Sequence, residues 1–419
     1  ALELSQAGAD VIGGNCGSGP GYLLKVLRVM AEVTDCPISA FPNLSFPQYM
    51  EGRFVYRSEP EYFAQRAEEI YRAGATLIGG CCGTTPEHIR QLAQRLKGLL
   101  PAPRKLVSIR LPEREAPPPR RRAPFLDRAG KEPILIVELE TPRGTLYERV
   151  LTGARMMADE GVHAISVAEN PLASIRMSSL VLSYLIQREV GLTAICHITC
   201  RDRNLLGLHS ELLGADALGV HTILALTGDP ISVGGVAGVS AVFDVNSFGL
   251  IQLLRSLNEG QNALGRSIER PTNFTIGVAF DPNRTRLEAE VHRLEKKVAL
   301  GADFAMSQML YDASRIRQMY RSTRHIPIPI FAGFMPLVSA RNAEFLHNEV
   351  PGFKIPEAVR RRMHEAPPGT AWQEGIRIAK ELIEVALESG APGIYLVTPF
   401  QRVGMILELV RHVQRVWAS

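Results

Sequence analysis

Three cysteines stand in two similar glycine-rich phrases near the start of the chain. Cys16 lies in GGNCG, and Cys81 and Cys82 lie in GGCCGT. Each phrase follows an apolar segment typical of a buried parallel strand, so the turns after both strands are expected at one edge of a sheet. Three thiolates with an open fourth position suit a catalytic zinc that binds and activates an incoming thiol. This pattern favours zinc over inert buried cysteines, and Cys36, which precedes its strand, is excluded.

Polar side chains also mark the ends of apolar segments in the second part of the chain. Glu138 ends one segment, and Asp229 and Gln308 stand at the ends of two others. In an α/β barrel such positions surround the active site, where a buried carboxyl with a raised pKa can act as a general acid. For Glu138 alone, an ion-paired carboxylate at the rim stays an alternative. The other members of this set are Glu140, Glu169, Asn170, His197, Thr199, Thr227, Thr398 and Arg402.

The phrase CHITC offers a second cluster of possible metal ligands. Cys196 and Cys200 share one face of a strand, whereas the adjacent His197 points to the other face. This spacing argues against a metal site and predicts two packing cysteines and a histidine that hydrogen-bonds to a ligand. The glycine-rich residues 233–238, which follow Asp229, are interpreted as a mobile substrate loop, because no dinucleotide-binding fingerprint accompanies them.

A repeated turn shows which elements position these residues. A helix-like segment ends at a glycine that can cap it, and a short apolar segment follows, as expected of αβ units. The turn recurs at residues 7–10, 73–76, 160–163, 218–221, 300–303 and 389–391.

Eight apolar segments after residue 131 predict the strands of a complete (β/α)8 barrel over residues 132–419. Amphipathic segments between them, such as 149–160, 287–300 and 372–388, predict helices. Residues 1–100 contain three such units, with strands ending at Cys16, spanning 37–43 and ending at Cys81 and Cys82. Three units do not close a barrel, so further strands are expected from upstream of Ala1 or from another segment. The eight strands are predicted at 134–139, 164–169, 193–199, 222–228, 274–280, 304–310, 328–334 and 393–398.

Composition and charge limit the classes of protein. The 419 residues are 46% apolar and 21% charged, which is typical of a soluble globular protein and leaves no room for two full barrels. Residues 101–131, rich in proline and arginine, hold nine basic and three acidic side chains and are predicted to be a linker. The rest of the chain then lacks a basic face for nucleic acid, and no run approaches the roughly 18 apolar residues that a membrane span needs, so neither nucleic acid nor a membrane is an expected partner. Few cysteines and no signal sequence predict a cytoplasmic protein.

The chain resembles two enzyme families. GGNCG with IGGCCGTTPEHI is similar, over about residues 1–98, to the C-terminal part of the zinc-dependent homocysteine S-methyltransferases, whose zinc ligands match Cys16, Cys81 and Cys82. This resemblance implies the last three βα units of a second TIM barrel. Residues 132–419 resemble the 5,10-methylenetetrahydrofolate reductases through VELETP, CHITC, ALTGDP, LEKKVALGAD and SQMLYD. Bacterial bifunctional proteins join both activities.

The reductase resemblance implies roles for individual residues. Glu138 matches the general acid that protonates N10 of the folate, and Asp229 matches the carboxylate that binds the pterin and tunes the flavin. Gln308 matches a folate contact, and Arg402 a less secure one. FAD and zinc are the implied cofactors, with NAD(P)H, methylenetetrahydrofolate and homocysteine as substrates. The implied flavin-binding residues are His197, Thr227, Gly228, Asp229, Ser247, Phe280, Glu290 and Lys297.

Two functional expectations follow from these resemblances. The first is an FAD-dependent reductase fused to a methyltransferase segment that by itself does not transfer methyl groups. The alternative is a non-catalytic barrel that uses the basic linker to bind RNA or lipid, against which Glu138, Asp229 and Gln308 weigh. A yellow flavin spectrum distinguishes the two. Whether NADH or NADPH is preferred, and whether the protein is a homo-oligomer, stays open at this level.

Overall fold

The structure is a computed structural model that describes residues 1–17, 19–45, 48–50, 53–100, 121–234, 236, 238–367 and 369–418. The chain divides into two compact units, Ala1–Glu115 and Ala116–Ser419. The predicted linker lies largely outside the described residues, which do not include 101–120.

The first unit is an open parallel sheet with helices. Its strands β1, β2 and β5 pair in the order β1-β2-β5, which confirms the prediction of three partial βα units. An antiparallel pair, β3 and β4, lies between β2 and the next helix and was not predicted. The strands are β1 (Ile12–Asn15), β2 (Ile38–Phe41), β3 (Gln48–Met50), β4 (Arg53–Val55) and β5 (Ala75–Ile78). The helices are α1 (Leu2–Gln6), α2 (Pro20–Val33), α3 (Pro60–Arg72) and α4 (Pro86–Leu96).

Proline starts three of these helices, at Pro20, Pro60 and Pro86. The first helical position needs no backbone donor, and the ring of proline already holds a helical φ. The apolar faces of α2 and α3 then cover the sheet, where Leu27 and Ile70 are fully buried. Burial of this face holds β1 and β5 on either side of β2, with their carboxyl ends at the same edge of the parallel sheet.

The second unit is a closed barrel of eight parallel strands surrounded by helices, as predicted. Strand β13 pairs with β6 and closes the ring. The strands are β6 (Ile134–Leu139), β7 (Ala164–Val167), β8 (Thr193–Thr199), β9 (Thr222–Leu226), β10 (Thr275–Phe280), β11 (Phe304–Met309), β12 (Ile330–Phe334) and β13 (Gly393–Val397). The helices are α5 (Glu148–Asp159), α6 (Ser179–Val190), α7 (Leu205–Ala217), α8 (Ile231–Gly234), α9 (Ser247–Asn258), α10 (Leu287–Ala299), α11 (Ala313–Ser322), α12 (Ala340–Glu349), α13 (Glu357–Glu365), α14 (Ala371–Glu388) and α15 (Val403–Ala418).

The strands are buried on both faces, which explains their continuous apolar sequences. Inside the ring the strands pack on one another, and outside it they pack on helices such as α14, which buries Ile376, Ile378 and Ile383. At the closure, a Cβ at Gly393 would stand 2.1 Å from the carbonyl oxygen of Ile134, so this pairing requires glycine. In the described part of the chain, no helix combines the length and apolarity that crossing a membrane demands.

A segment just before β6 closes the N-terminal end of the barrel. Phe125, in a short 3-10 helix, is 2% exposed and packs edge-on against Phe304 and Phe331. The Ala123 amide donates to the hydroxyl of Thr275 at 2.8 Å. These contacts correct the boundary predicted at residue 132, because residues 121–131 pack with the barrel and do not act as a free linker.

Candidate active site and candidate metal centre

The carboxyl ends of the barrel strands surround a cavity of about 490 Å³. Ten of the eleven barrel residues predicted to bind substrate or cofactor line it, although they come from separate parts of the chain. They are Glu138, His197, Thr227, Gly228, Asp229, Ser247, Phe280, Glu290, Lys297 and Gln308.

Glu138 lies near the end of β6 with its carboxyl group turned into the barrel. The side chain is 17% exposed, and burial, helped by the negative charge of Glu140, raises its pKa to about 7. The hydroxyl of Tyr395 donates a hydrogen bond to Oε2 of this carboxyl and acts in the opposite direction. A carboxyl with such a pKa is partly protonated near neutral pH, as a general acid must be.

His197 lines the same cavity, next to Glu138. Its Nε2 lies 2.6 Å from Oγ of Ser166 and 3.8 Å from Oε2 of Glu138. Burial lowers the pKa of His197 to about 3, so the imidazole is neutral and hydrogen-bonds without charge. Cys196 and Cys200 lie fully buried in the core. Among the described residues, the cluster with metal-ligand geometry lies elsewhere, at Cys16, Cys81 and Cys82.

Asp229 anchors a loop at the rim of the cavity. Its Oδ2 accepts a hydrogen bond of 2.8 Å from the amide of Leu172. Asn170, Leu172 and Ala173 in this loop have φ values of 40°, 52° and 51°, a region that residues other than glycine seldom occupy. Backbone strain of this kind is kept where the surroundings enforce it. The carboxylate predicted to bind substrate therefore already holds a strained loop next to the cavity.

Arg293 and Lys297 of α10, with Arg284 just before that helix, form a basic side of the cavity. Nζ of Lys297 donates to the carbonyl oxygen of Ala279 at 2.6 Å, and burial lowers the pKa of this lysine to about 8. Glu290 lies between two arginines, 3.5 Å from Arg284 and 3.6 Å from Arg293. These cations provide hydrogen-bond donors and positive charge for an anionic group.

The lining also offers unused polar atoms. Oγ1 of Thr199 is buried at the cavity and has no hydrogen-bond partner among the described residues. Gly228 has a φ of 94°, and a Cβ there would crowd Cβ of Arg201 at 3.0 Å and Cβ of Thr199 at 3.1 Å, so the close approach of this backbone to its neighbours requires glycine. The unpaired buried hydroxyl of Thr199 and the basic side chains of the same cavity fit a polar cofactor with phosphate groups.

Gln308 and Arg402 have different surroundings. Oε1 of Gln308 accepts from the amide of Met309 at 2.9 Å, and a Cβ at Gly352 would stand 2.6 Å from its Nε2. A loop therefore covers this amide from above. Arg402 does not line the cavity: it is exposed at the start of α15, beyond a 3-10 turn in which Phe400 and Gln401 have positive φ. That turn explains why the strand-end position predicted for Arg402 does not bring it to the others.

Two features of the site were missed by the sequence analysis. Tyr395 points inward from β13, and no local signal indicates this, because its neighbours on the strand are buried as well. Arg201 is 2% exposed and bonds to Asp202 and to the carbonyl oxygens of Asp229 and Asn170. The run CRDRN directly after β8 was the available signal, since a charged run at a strand end is expected at the barrel mouth.

The three cysteines of the first unit converge. Sγ of Cys82 lies 3.7 Å from Sγ of Cys16 and 3.7 Å from Sγ of Cys81, and all three sulfurs lie within 4.8 Å of one another. Tetrahedral zinc with Zn–S bonds of about 2.3 Å needs sulfurs roughly 3.8 Å apart. The donor set and its spacing therefore fit zinc. Tyr56, which sequence reasoning did not single out, lies beside the cluster, and burial and the neighbouring thiols raise its pKa.

Local sequence explains how the cysteines approach one another. Cys16 directly follows β1 and has a φ of 64°, and its amide donates to the carbonyl oxygen of Phe41 at 2.8 Å. The amide of Cys81 donates to Pro42 at 2.9 Å, three residues beyond β5. A Cβ at Gly13 would stand 2.1 Å from the carbonyl oxygen of Ser39, so the double glycine is required for the strands to pack.

Comparisons with known proteins agree with this division. Residues 126–413 match the family described as methylenetetrahydrofolate reductase, and residues 1–96 match homocysteine S-methyltransferase. A methionine synthase of Mycobacterium leprae is 39% identical over 87 residues, which are 20% of this chain and 7% of that protein. An S-methylmethionine–homocysteine S-methyltransferase of Mus musculus is 34% identical over 124 residues, covering 24% of this chain and 33% of that protein. The chain thus spans a third or less of these relatives.

Proposed function

The chain belongs to the methylenetetrahydrofolate reductase family, and on that premise we propose that its barrel reduces 5,10-methylenetetrahydrofolate to 5-methyltetrahydrofolate with bound FAD and NAD(P)H. The observation that carries this proposal is the environment of Glu138. Its carboxyl group lies in the cavity at the carboxyl ends of the barrel strands, and burial raises its pKa to about 7. An ordinary surface glutamate is fully ionised at neutral pH and has no proton to give.

In this proposal Glu138 gives its proton to N10 of the folate while the bond between N10 and the bridging carbon breaks. Solvent then returns a proton to the carboxylate. Asp229 and Gln308 bind the pterin ring by accepting and donating hydrogen bonds. When bound, FAD would supply the hydride-transfer chemistry between NAD(P)H and the bridging carbon. The residues that would hold the flavin are His197, Thr227, Gly228, Asp229, Ser247, Phe280, Glu290 and Lys297.

Separate measurement of the two half-reactions tests this function. Glu138→Gln keeps the shape of the side chain but removes the proton, so we expect reduction of the flavin by NAD(P)H at the wild-type rate and a loss of folate reduction of at least 100-fold. Glu288→Gln, an exposed position on α10, serves as the control. Equal losses in both half-reactions would refute the role of Glu138. A wild-type protein that takes up no FAD would refute the reductase function.

For the first unit we propose a zinc centre: Cys16, Cys81 and Cys82 would hold the ion, which would supply Lewis acidity to the thiol of homocysteine as a methyl acceptor. The sulfur spacing of Cys16, Cys81 and Cys82 supports this proposal. Zinc lowers the pKa of a bound thiol, so the sulfur reacts as a thiolate at neutral pH. The methyl donor stays unassigned. Zinc content per chain, measured after dialysis, tests the centre.

A further inference from the structure

Tyr395 stands directly beside the proposed general acid. It lies on β13, whose Val397 pairs with Glu138 of β6, so the two side chains share the inner face of the barrel at the closure of the ring. The Tyr395 hydroxyl donates to Oε2 of Glu138, and Tyr395 is itself buried. Neither substrate nor cofactor is needed to bring these two groups together.

Among the described residues around Glu138, Tyr395 is the one whose side chain donates a hydrogen bond to the carboxylate. His197 is neutral, and its Nε2 lies 2.6 Å from Ser166 but 3.8 Å from Glu138. Glu140, which directly follows β6, is paired with Arg176 at 2.8 Å. The other charged groups that face Glu138 across the cavity are Glu169, Asp229, Asp281, Arg284, Glu290, Arg293 and Lys297.

We propose that Tyr395 is a positioning residue for Glu138: its hydroxyl engages Oε2, so the transferable proton is carried by Oε1, and it stabilises the carboxylate that remains after proton transfer. This inference rests on the proposed reductase function. A carboxyl group held through one oxygen cannot rotate its proton away from the substrate. A donor to the product anion also lowers the free energy of the transition state in which that anion forms.

Removal of the hydroxyl has two expected consequences of known sign. The hydrogen bond favours the ionised form of Glu138 and thus lowers its pKa, so Tyr395→Phe raises that pKa further. Loss of one bond to a charged group corresponds to an upward shift of about one pH unit. The acid form then persists to higher pH, while proton transfer on the low-pH plateau slows by about three- to tenfold, because the acid is weaker and less well oriented.

The experiment compares wild type, Tyr395→Phe and a matched control, Tyr320→Phe. Tyr320 is another buried tyrosine, but its hydroxyl donates to the carbonyl oxygen of Ile330, away from the cavity. Infrared titration of the cofactor-free protein follows the protonated carboxyl band of Glu138, which is identified by its loss in Glu138→Gln. Stopped-flow measurements follow the two half-reactions against pH.

We expect Tyr395→Phe to shift two midpoints to higher pH, that of the carboxyl titration and that of the pH dependence of folate reduction. Flavin reduction by NAD(P)H should stay unchanged, and Tyr320→Phe should shift neither midpoint. A carboxyl midpoint equal to that of wild type, or equal losses in both half-reactions, overturns the inference. Incorporation of 3-fluorotyrosine at position 395 preserves the volume if phenylalanine impairs folding. Its more acidic hydroxyl should shift the midpoint downward, and an unchanged midpoint counts against the inference. If wild type does not reduce folate, the proposed function fails, whereas the infrared titration still tests the Tyr395–Glu138 link.

Discussion

The burial of Glu138 predicts a pH-dependent cost to stability that Glu138→Gln removes. The folded state raises the pKa of this carboxyl from 4.5 to about 7. Between these values the unfolded chain releases the proton while the folded chain keeps it, so the free energy of unfolding falls as pH rises and levels off above pH 7. The difference corresponds to about 3 kcal/mol. Because the side chain is 17% exposed through the cavity, this figure is an upper value.

Glutamine carries no ionisable group, so the stability of Glu138→Gln relative to wild type should increase by up to about 3 kcal/mol between pH 4.5 and 8. Urea unfolding followed by tryptophan fluorescence measures this change. Both tryptophans of the chain, Trp372 and Trp417, lie in the barrel unit, so the signal reports that unit alone. Glu288→Gln is the control, since its side chain is exposed.

The opposite sign would also be informative. Glu138→Gln could instead be less stable than wild type by an amount that does not change with pH. In that case burial does not raise the pKa of Glu138, and the reasoning for a general acid at this position fails. If the free energy of unfolding of Glu288→Gln relative to wild type changes with pH by the same amount, the effect reflects the overall charge of the chain and not the burial of Glu138.

Two further predictions concern the metal centre and the base of the barrel. Cys82→Ser should reduce the zinc content from about one ion per chain to a small fraction, since the central sulfur of the cluster is lost. Cys36→Ser, outside the cluster, is the control. An unchanged zinc content in Cys82→Ser would refute the site. Phe125→Ala should destabilise the barrel by about 3–5 kcal/mol in the same fluorescence assay, because a fully packed ring is removed. The half-buried neighbour Leu126 gives the comparison, and a loss in Phe125→Ala no larger than in Leu126→Ala would mean that residues 121–131 do not seal the barrel.

Much of the barrel was predictable because its strands are continuous apolar runs with regular spacing. The segments at 134–139 and 193–199 match β6 and β8 residue for residue. The antiparallel pair β3 and β4 was not predictable, because three-residue strands carry too little periodicity. Residues 121–131 were misjudged for a similar reason: proline and arginine dominate the segment, and the single buried ring of Phe125 gives no pattern.

The sequence by itself determined the order of the elements and the residue types at the ends of the strands, because strand and helix periods and glycine caps are local properties of the chain. From these followed the barrel, the open three-stranded sheet and the polar strand-end residues Glu138, Asp229 and Gln308 of the cavity. The tertiary structure alone decided which atoms meet. Tyr395 and Glu138 are 257 positions apart, and their contact exists only because the ring closes. The raised pKa of Glu138, the loop held by Asp229 and the exposure of Arg402 likewise depend on burial and on long-range packing, which no local pattern encodes.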